Sequence, residues 1–260
     1  MLNFVEKPFH IPTEAGKVGK YCILPGAPER VEQIARRLEQ PVFVGSNREF
    51  TIWNGKLDGT LVTVCSTGIG GPSTAIAAEE LADCGAEALI RVGTCGGIST
   101  KVQSGDVVVA SGAVRQDGTS HEYAPPAFPA VPDANVLFAL TATAKERDVR
   151  YHVGVVQSKD SFYGQHSPDR MPTVSMLHEQ WEAWKRLGVL ASEMEASTLF
   201  TVGAARGIAT GAVFHVIWNQ ERVLAGLDTV ENKSFNTSRA IDVAVEAVRK
   251  LIDTEKSGEK

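Results

Sequence analysis

The sequence predicts one α/β domain built on a large mixed sheet, and three observations carry that reading. Short apolar, β-branched runs alternate with helical stretches along the chain, as in folds whose sheet is covered by helices. Two of the runs, residues 61–66 and 88–92, are almost continuously apolar, which strands covered on both faces require. No repeat, low-complexity linker or break in composition divides the chain, and 260 residues with 43% hydrophobic content can bury one sizeable core.

The elements follow in order. Residues 21–24 read as a strand and 27–38 as a helix, followed by two further strands around an Asn54-Gly55 turn. After the apolar strand 61–66, residues 72–82 read as a helix with proline in its first turn. Residues 88–92, 105–110, 153–157 and 209–218 are further strands. Leu177, Trp181, Trp184 and Leu187 recur at helical spacing as a packing stripe. Ile241, Ala244, Val245, Val248 and Ile252 mark an amphipathic helix, and residues 254–260 read as a frayed polar tail.

Charge and cysteine content narrow the function. A net charge of −5 and a pI near 5.7 repel a phosphate backbone, so nucleic acid is not an expected partner. The first residues lack a basic start, an apolar core and a small-residue cleavage site, and no apolar run is long enough for a bilayer, so a cytoplasmic address is expected. Cys22, Cys65, Cys84 and Cys95 have neither CxxC spacing nor histidines at metal-ligand spacing, and read as reduced core thiols.

Three segments place glycine directly after a predicted strand: Pro25-Gly-Ala-Pro-Glu-Arg30, Ser66-Thr-Gly-Ile-Gly-Gly-Pro-Ser73 and Arg91-Val-Gly-Thr-Cys-Gly-Gly97. Such turns expose main-chain N–H groups to an anion. The dinucleotide fingerprint fails, because Ser73 stands where its third glycine belongs, and no Gly-Lys-Ser/Thr ending marks a P-loop. The turns carry arginine instead. Arg30 and Arg91, with the Thr94 hydroxyl and a glycine N–H, suit a free phosphate dianion. Glu193 and Glu195 also stand out, since two carboxylates in an apolar stretch are costly to bury without partners.

Taken with Ser192-Glu-Met-Glu-Ala196, these segments resemble the hexameric branch of the type I nucleoside phosphorylases, over most of the chain and in the expected order. The resemblance implies a single domain with a distorted, barrel-like central sheet flanked by helices. It also implies cleavage of a nucleoside by inorganic phosphate, with no organic cofactor, in a homohexamer of homodimer units. By resemblance, Gly26, Arg30, Arg91 and Thr94 hold phosphate, and Arg48 reaches a neighbouring subunit's phosphate site. His10 crosses the same interface to the ribose 5′-hydroxyl, Glu195 binds the ribose hydroxyls beside Thr94, and Met194 packs beneath the sugar.

The base is read from two segments. Uridine-cleaving members carry Phe-Tyr-Pro-Gly-Gln-x-Arg, whose glutamine and arginine meet the uracil edge; this chain has Phe162-Tyr-Gly-Gln-His-Ser-Pro-Asp-Arg170. Phe162 and Gln165 align, and either His166 or Arg170 replaces the arginine. In Val216-Ile-Trp-Asn-Gln-Glu-Arg222, Gln220 follows the asparagine where those members have arginine, and Ile217 lines the pocket. Purine-cleaving members carry an aspartate in this segment, and residues 213–227 contain none. Uridine and phosphate are thus the expected substrates, uracil and ribose 1-phosphate the products. Glu49, Ile69 and Ser73 match positions that in some uridine-cleaving members bind a monovalent cation, here K+, between two subunits. Two rivals stand beside this reading: a nucleosidase using water, which has no use for Arg30 and Arg91, and a non-catalytic nucleoside binder, which has none for a phosphate site.

Overall fold

The computed structural model describes residues 7–258. The first half of the chain runs β1 (Tyr21–Pro25), α1 (Pro28–Ala35), β2 (Glu39–Asn47), β3 (Phe50–Leu57), β4 (Thr60–Cys65), α2 (Gly71–Asp83), β5 (Ala88–Gly97) and β6 (Val107–Gln116). It continues through α3 (Thr119–Tyr123), α4 (Ala134–Glu146), β7 (Tyr151–Lys159), α5 (Phe162–His166), a 3-10 turn (Pro168–Arg170) and α6 (Val174–Arg186). The last elements are β8 (Ala191–Glu193), α7 (Ala196–Arg206), β9 (Ala209–Asn219), α8 (Gln220–Leu224) and α9 (Ser238–Ser257).

The strands make one mixed sheet in the order β2-β3-β4-β1-β5-β8-β7-β6-β9, and β9 returns to pair with β5. That last pairing, parallel from Ala88↔Ala209 to Gly97↔Asn219, closes β5, β8, β7, β6 and β9 into a barrel. The other four strands extend from it as an open sheet. The expected barrel-like α/β domain is therefore present.

The continuous apolar character of β1 has a direct cause. Cys22 and Leu24 point to one face, into a core shared with Ala77 and Leu81 of α2 and Leu199 and Phe200 of α7. Tyr21 and Ile23 point to the other, against Ile34 of α1, Leu140 of α4 and Ile241 and Val248 of α9. Burying each large aliphatic side chain of α9 contributes about 1.5–3 kcal/mol, so this helix is an integral wall of the domain.

Three details differ from the sequence reading. Asn54-Gly55 is not a turn but the interior of β3; the hairpin turns lie at Arg48 (φ 53°) and at Asp58-Gly59 (φ 48° and 77°). Gly55 is there because a Cβ would stand 2.6 Å from the Leu38 side chain, and Asn54 uses its amide to hold the Lys17 carbonyl and accept the Thr63 hydroxyl. The polar tail is helical through Ser257, held where Glu255 meets Lys20 and the Tyr21 hydroxyl. Leu187 lies past the end of α6 and is exposed, so the packing stripe stops at Trp184. Among the described residues no helix is long and apolar enough to cross a membrane.

Candidate active site

The loops that leave β1 and β4, with the second half of β5 and the ends of β7, β8 and β9, surround a cavity of about 920 Å³. Its floor is an arginine pair. A Cβ built on Gly26 would lie 3.5 Å from Nη2 of Arg91 and 3.8 Å from Nη2 of Arg30, so both guanidinium groups converge on this turn and only glycine leaves the space open. Arg91 is buried and Arg30 half-buried, and among the described residues each keeps one buried nitrogen without a hydrogen-bond partner, Nη1 of Arg30 and Nε of Arg91. Burial, and then the charge of Arg91, push the Arg30 guanidinium below its usual range. Two like charges held together with unspent donors are an arrangement that suits an anion. Thr94, on β5, lines the same cavity.

Glu195 stands beside this pair. One oxygen accepts from Nη2 of Arg91 at 2.5 Å, the other from the main-chain N–H of Gly70 at 2.7 Å, and Arg91 also donates to the Thr67 hydroxyl at 3.0 Å. Glu193 has a different task. Its carboxylate accepts from the Ser158 hydroxyl and from the N–H groups of Glu195 and Ala196, which caps the start of α7 and fixes the backbone that carries Met194 and Glu195. Burial, then repulsion from Glu195, raise its pKa to about 7. Behind it, Asp117 accepts from the hydroxyls of Ser120, Ser197 and Thr198 and from the N–H of Ser120, tying the first turn of α7 to α3.

The far end of the cavity is formed by Phe162, His166, Met194, Ile217 and Trp218, together with Lys159. Lys159 ends β7, is only 6% exposed, and donates to the Ser192 hydroxyl at 2.6 Å. That hydroxyl donates in turn to the Gln165 amide oxygen at 2.6 Å. Burial lowers the Lys159 pKa to about 8, against the pull of Glu193 and Glu195. His166 lies against the Phe162 ring, centroids 4.4 Å apart, and its pKa is lowered by burial and then by Lys159. The imidazole is therefore neutral at pH 7, and the buried cation at this end is Lys159; Lys233 also lines the cavity, with its ammonium 5.7 Å from the Trp218 ring centroid.

The structure brings Gly26, Arg30, Arg91, Thr94, Phe162, His166, Met194, Glu195 and Ile217 to one cavity. Others lie elsewhere. Arg170 is exposed on the 3-10 turn with its guanidinium over the Tyr163 ring, 5.7 Å from the centroid, and does not line this cavity. Gln165 and Gln220 line an adjoining cavity of about 340 Å³ under α6, which meets the first at Lys159. The next arginine, Arg222, is spent on Asp228 and the Thr100 carbonyl. Arg48 is exposed at the β2–β3 turn, and His10 lies outside the cavity against Glu80 of α2. Glu49 and Ile69 reach the cavity rim, where Ser73 donates to Glu49 at 2.7 Å and lowers that carboxyl's pKa. Among the described residues no cluster of three or more His, Cys, Asp or Glu could hold a metal ion. Cys95 touches the cavity but is buried, and burial pushes its thiol pKa up, which disfavours the thiolate a nucleophile needs.

Sequence reasoning missed Lys159. The available signal was a lysine closing an apolar strand three residues before Phe162, a position where a solvated charge is costly to bury without purpose.

The same arrangement has relatives. The chain is 51% identical over 244 residues to the uridine phosphorylase of Treponema pallidum, covering 94% of each chain. It is 45% identical to the uridine phosphorylase of Klebsiella aerogenes, covering 89% of this chain and 92% of the relative. A guanosine phosphorylase of Halorubrum lacusprofundi is 38% identical, covering 93% and 98%. Residues 20–253 match the phosphorylase superfamily as one continuous unit, and with the barrel and the arginine-lined cavity in place, the chain belongs to that superfamily.

Proposed function

We infer that the chain cleaves uridine, and by the same chemistry deoxyuridine, with inorganic phosphate, releasing uracil and ribose 1-phosphate. The convergence of Arg30 and Arg91 on Gly26, each with an unspent buried donor, carries the reading. The names of the relatives at 51% and 45% identity support uridine as substrate. Phosphate sits on the arginine pair with Thr94, Glu195 binds the ribose hydroxyls, and Met194 packs under the sugar. Phosphate oxygen then forms a bond to C1′ as the C1′–N1 bond breaks, and the electron pair of that bond leaves with the base. Positive charge builds on the sugar ring, between phosphate and Glu195, and negative charge builds on uracil, next to Lys159. The protein positions and stabilises; no covalent enzyme intermediate and no organic cofactor enter this scheme.

The direct test is uracil release from uridine with and without phosphate. Release should stop in phosphate-free buffer, and equal release in both buffers would identify a hydrolase instead.

Uracil offers an N3–H between two carbonyl acceptors, and Gln165 can donate and accept at once. It lies one hydroxyl away from Lys159, on the wall between the two cavities. Gln165→Ala should lower kcat/KM for uridine by roughly tenfold to a hundredfold, from about 1.5–3 kcal/mol of lost transition-state binding. Unchanged kinetics would take Gln165 out of base recognition.

The proposal extends to a second copy of the chain. Strand β2 is an exposed edge with Val42 and Phe43 outward, and Arg48 follows at its turn. Edge strands of this kind are normally covered. We assign Arg48 to the phosphate site and His10 to the ribose site of a partner in a dimer, with hexamers built from such dimers. Arg48→Ala mixed with Glu195→Ala should regain activity, because one site of the mixed dimer holds both groups. A mixture no more active than its components, despite proven subunit exchange, would mean self-contained sites. Glu49, Ser73 and the Ile69 carbonyl supply the oxygen donors that K+ takes, and such an ion would need further oxygens from the partner.

A further inference from the structure

Glu80 lies on α2 outside the cavity, and no step described above uses it. Its carboxylate is nevertheless fully engaged. Oε1 accepts from the main-chain N–H of His10 at 3.0 Å and from Nδ1 of its ring at 2.7 Å; Oε2 accepts from the N–H of His10 at 2.9 Å and of Ile11 at 2.7 Å. The His10 carbonyl is held by the Asn47 amide at 2.7 Å, and the ring meets Phe9 and Phe50 edge to face, with centroids 5.0 Å and 6.4 Å away. Docking the backbone alone would need only the two N–H bonds. Here the imidazole is also turned onto Oε1, although it keeps 30% of its side-chain surface exposed.

A carboxylate only accepts hydrogen bonds, so Nδ1 must carry the ring proton. In the neutral ring that leaves Nε2, on the side away from Glu80, with a lone pair. Among the described residues nothing hydrogen-bonds Nε2. A ring whose tautomer is set by a half-buried carboxylate on one nitrogen and left open on the other is arranged as an acceptor for a hydroxyl.

We propose that Glu80 is the positioning residue for His10: it fixes the Nδ1–H tautomer and presents Nε2 as the acceptor for the ribose 5′-hydroxyl of the nucleoside in a partner copy. This rests on the reading of His10 given above and adds the residue that sets its orientation and the direction of the bond, in which the hydroxyl donates and the ring accepts. Glu80→Gln removes the charge and one acceptor, and an amide NH2 placed against the two N–H groups repels them, so the ring loses its fixed partner.

The test compares kcat/KM for uridine with that for 5′-deoxyuridine, which lacks the hydroxyl. The ratio is insensitive to the fraction of folded enzyme, since misfolding lowers both values alike. It should fall roughly tenfold in Glu80→Gln, equally in His10→Ala, and no further in the double variant, because one hydrogen bond is lost in each case. The 15N shifts of the imidazole, assigned by difference against His10→Ala, should show Nδ1–H in the parent protein and a mixture of tautomers in Glu80→Gln. A ratio lost in His10→Ala but kept in Glu80→Gln, or an Nε2–H tautomer in the parent, overturns the role of Glu80 alone. A ratio unchanged in His10→Ala overturns the reading of His10, and the inference with it.

Discussion

Arg91→Ala is expected to lower kcat/KM for uridine by about two to four orders of magnitude and to raise the KM for phosphate well over tenfold. Two charge-assisted bonds to a phosphate dianion are worth about 1.5–3 kcal/mol each, and each 1.4 kcal/mol is about a factor of ten. The loss has a second part. Arg91 is the ion-pair partner of Glu195 and stands 3.9 Å from Glu193, so its removal takes the nearest cation from two buried carboxylates. Breaking a buried pair on one side costs about 3–5 kcal/mol of stability. The two parts separate in Arg91→Ala/Glu195→Gln, which should recover much of the melting temperature and none of the phosphate affinity. Arg91→Lys tests geometry against charge: it restores the cation but not the two-pronged donor, and should stay at least tenfold below the parent in phosphate affinity. A phosphate KM in Arg91→Ala within threefold of the parent would remove Arg91 from the phosphate site.

What was legible in the sequence follows from the range over which each signal acts. Arg30 and Arg91 could be found because each stands beside a glycine-containing segment that the sequence marks locally, although the structure puts Arg30 in the first turn of α1 and Arg91 inside β5, which runs on as a strand through Gly97. The two-sided burial of β4 and of the first half of β5 was legible for the same reason: residues 61–66 and 88–92 are almost all apolar, whichever way the chain is paired. The barrel was different. It depends on β9 reaching β5 across nearly half the chain, and no local pattern specifies that pairing; family resemblance supplied it. Asn54-Gly55 shows one signal with two causes, since glycine is favoured in a hairpin turn and also where a neighbouring side chain presses on the backbone. The base end was the least legible. His166 and Arg170 were the cations nearest in sequence to Gln165, but the 3-10 turn carries Arg170 onto Tyr163, and burial keeps His166 neutral. Lys159 reaches this place only through the parallel register of β7 and β8, Gln157↔Ser192 and Ser158↔Glu193, which sets the strand end beside Ser192.

The second large effect is expected at that lysine. Lys159→Met keeps most of the buried stem and removes the ammonium group, and it should lower kcat for uridine by about two orders of magnitude or more, the range found when a positioned cation or acid at a leaving group is removed. Negative charge appears on uracil only as the C1′–N1 bond breaks, so the loss belongs to kcat more than to KM. The pH dependence gives the sharper test. With its pKa lowered to about 8 by burial, Lys159 is charged at neutral pH and becomes neutral as pH rises through about 8. Activity should fall over that window in the parent protein. Glu193, raised to about 7, and Lys159 feel one another, so the alkaline limb reports the cluster and not one isolated group. The limb should nevertheless be absent in Lys159→Met, whose residual activity should be flat from neutrality upward. Stability runs the other way: a lysine whose folded pKa lies below its unfolded value of 10.5 binds fewer protons in the folded state, so folding gains as pH rises from about 8 toward 10.5 while catalysis declines. An activity loss in this window therefore cannot be ascribed to unfolding at Lys159. A parent profile that stays level through pH 9, or a Lys159→Met enzyme that keeps the same alkaline limb, would leave the leaving-group role to another residue.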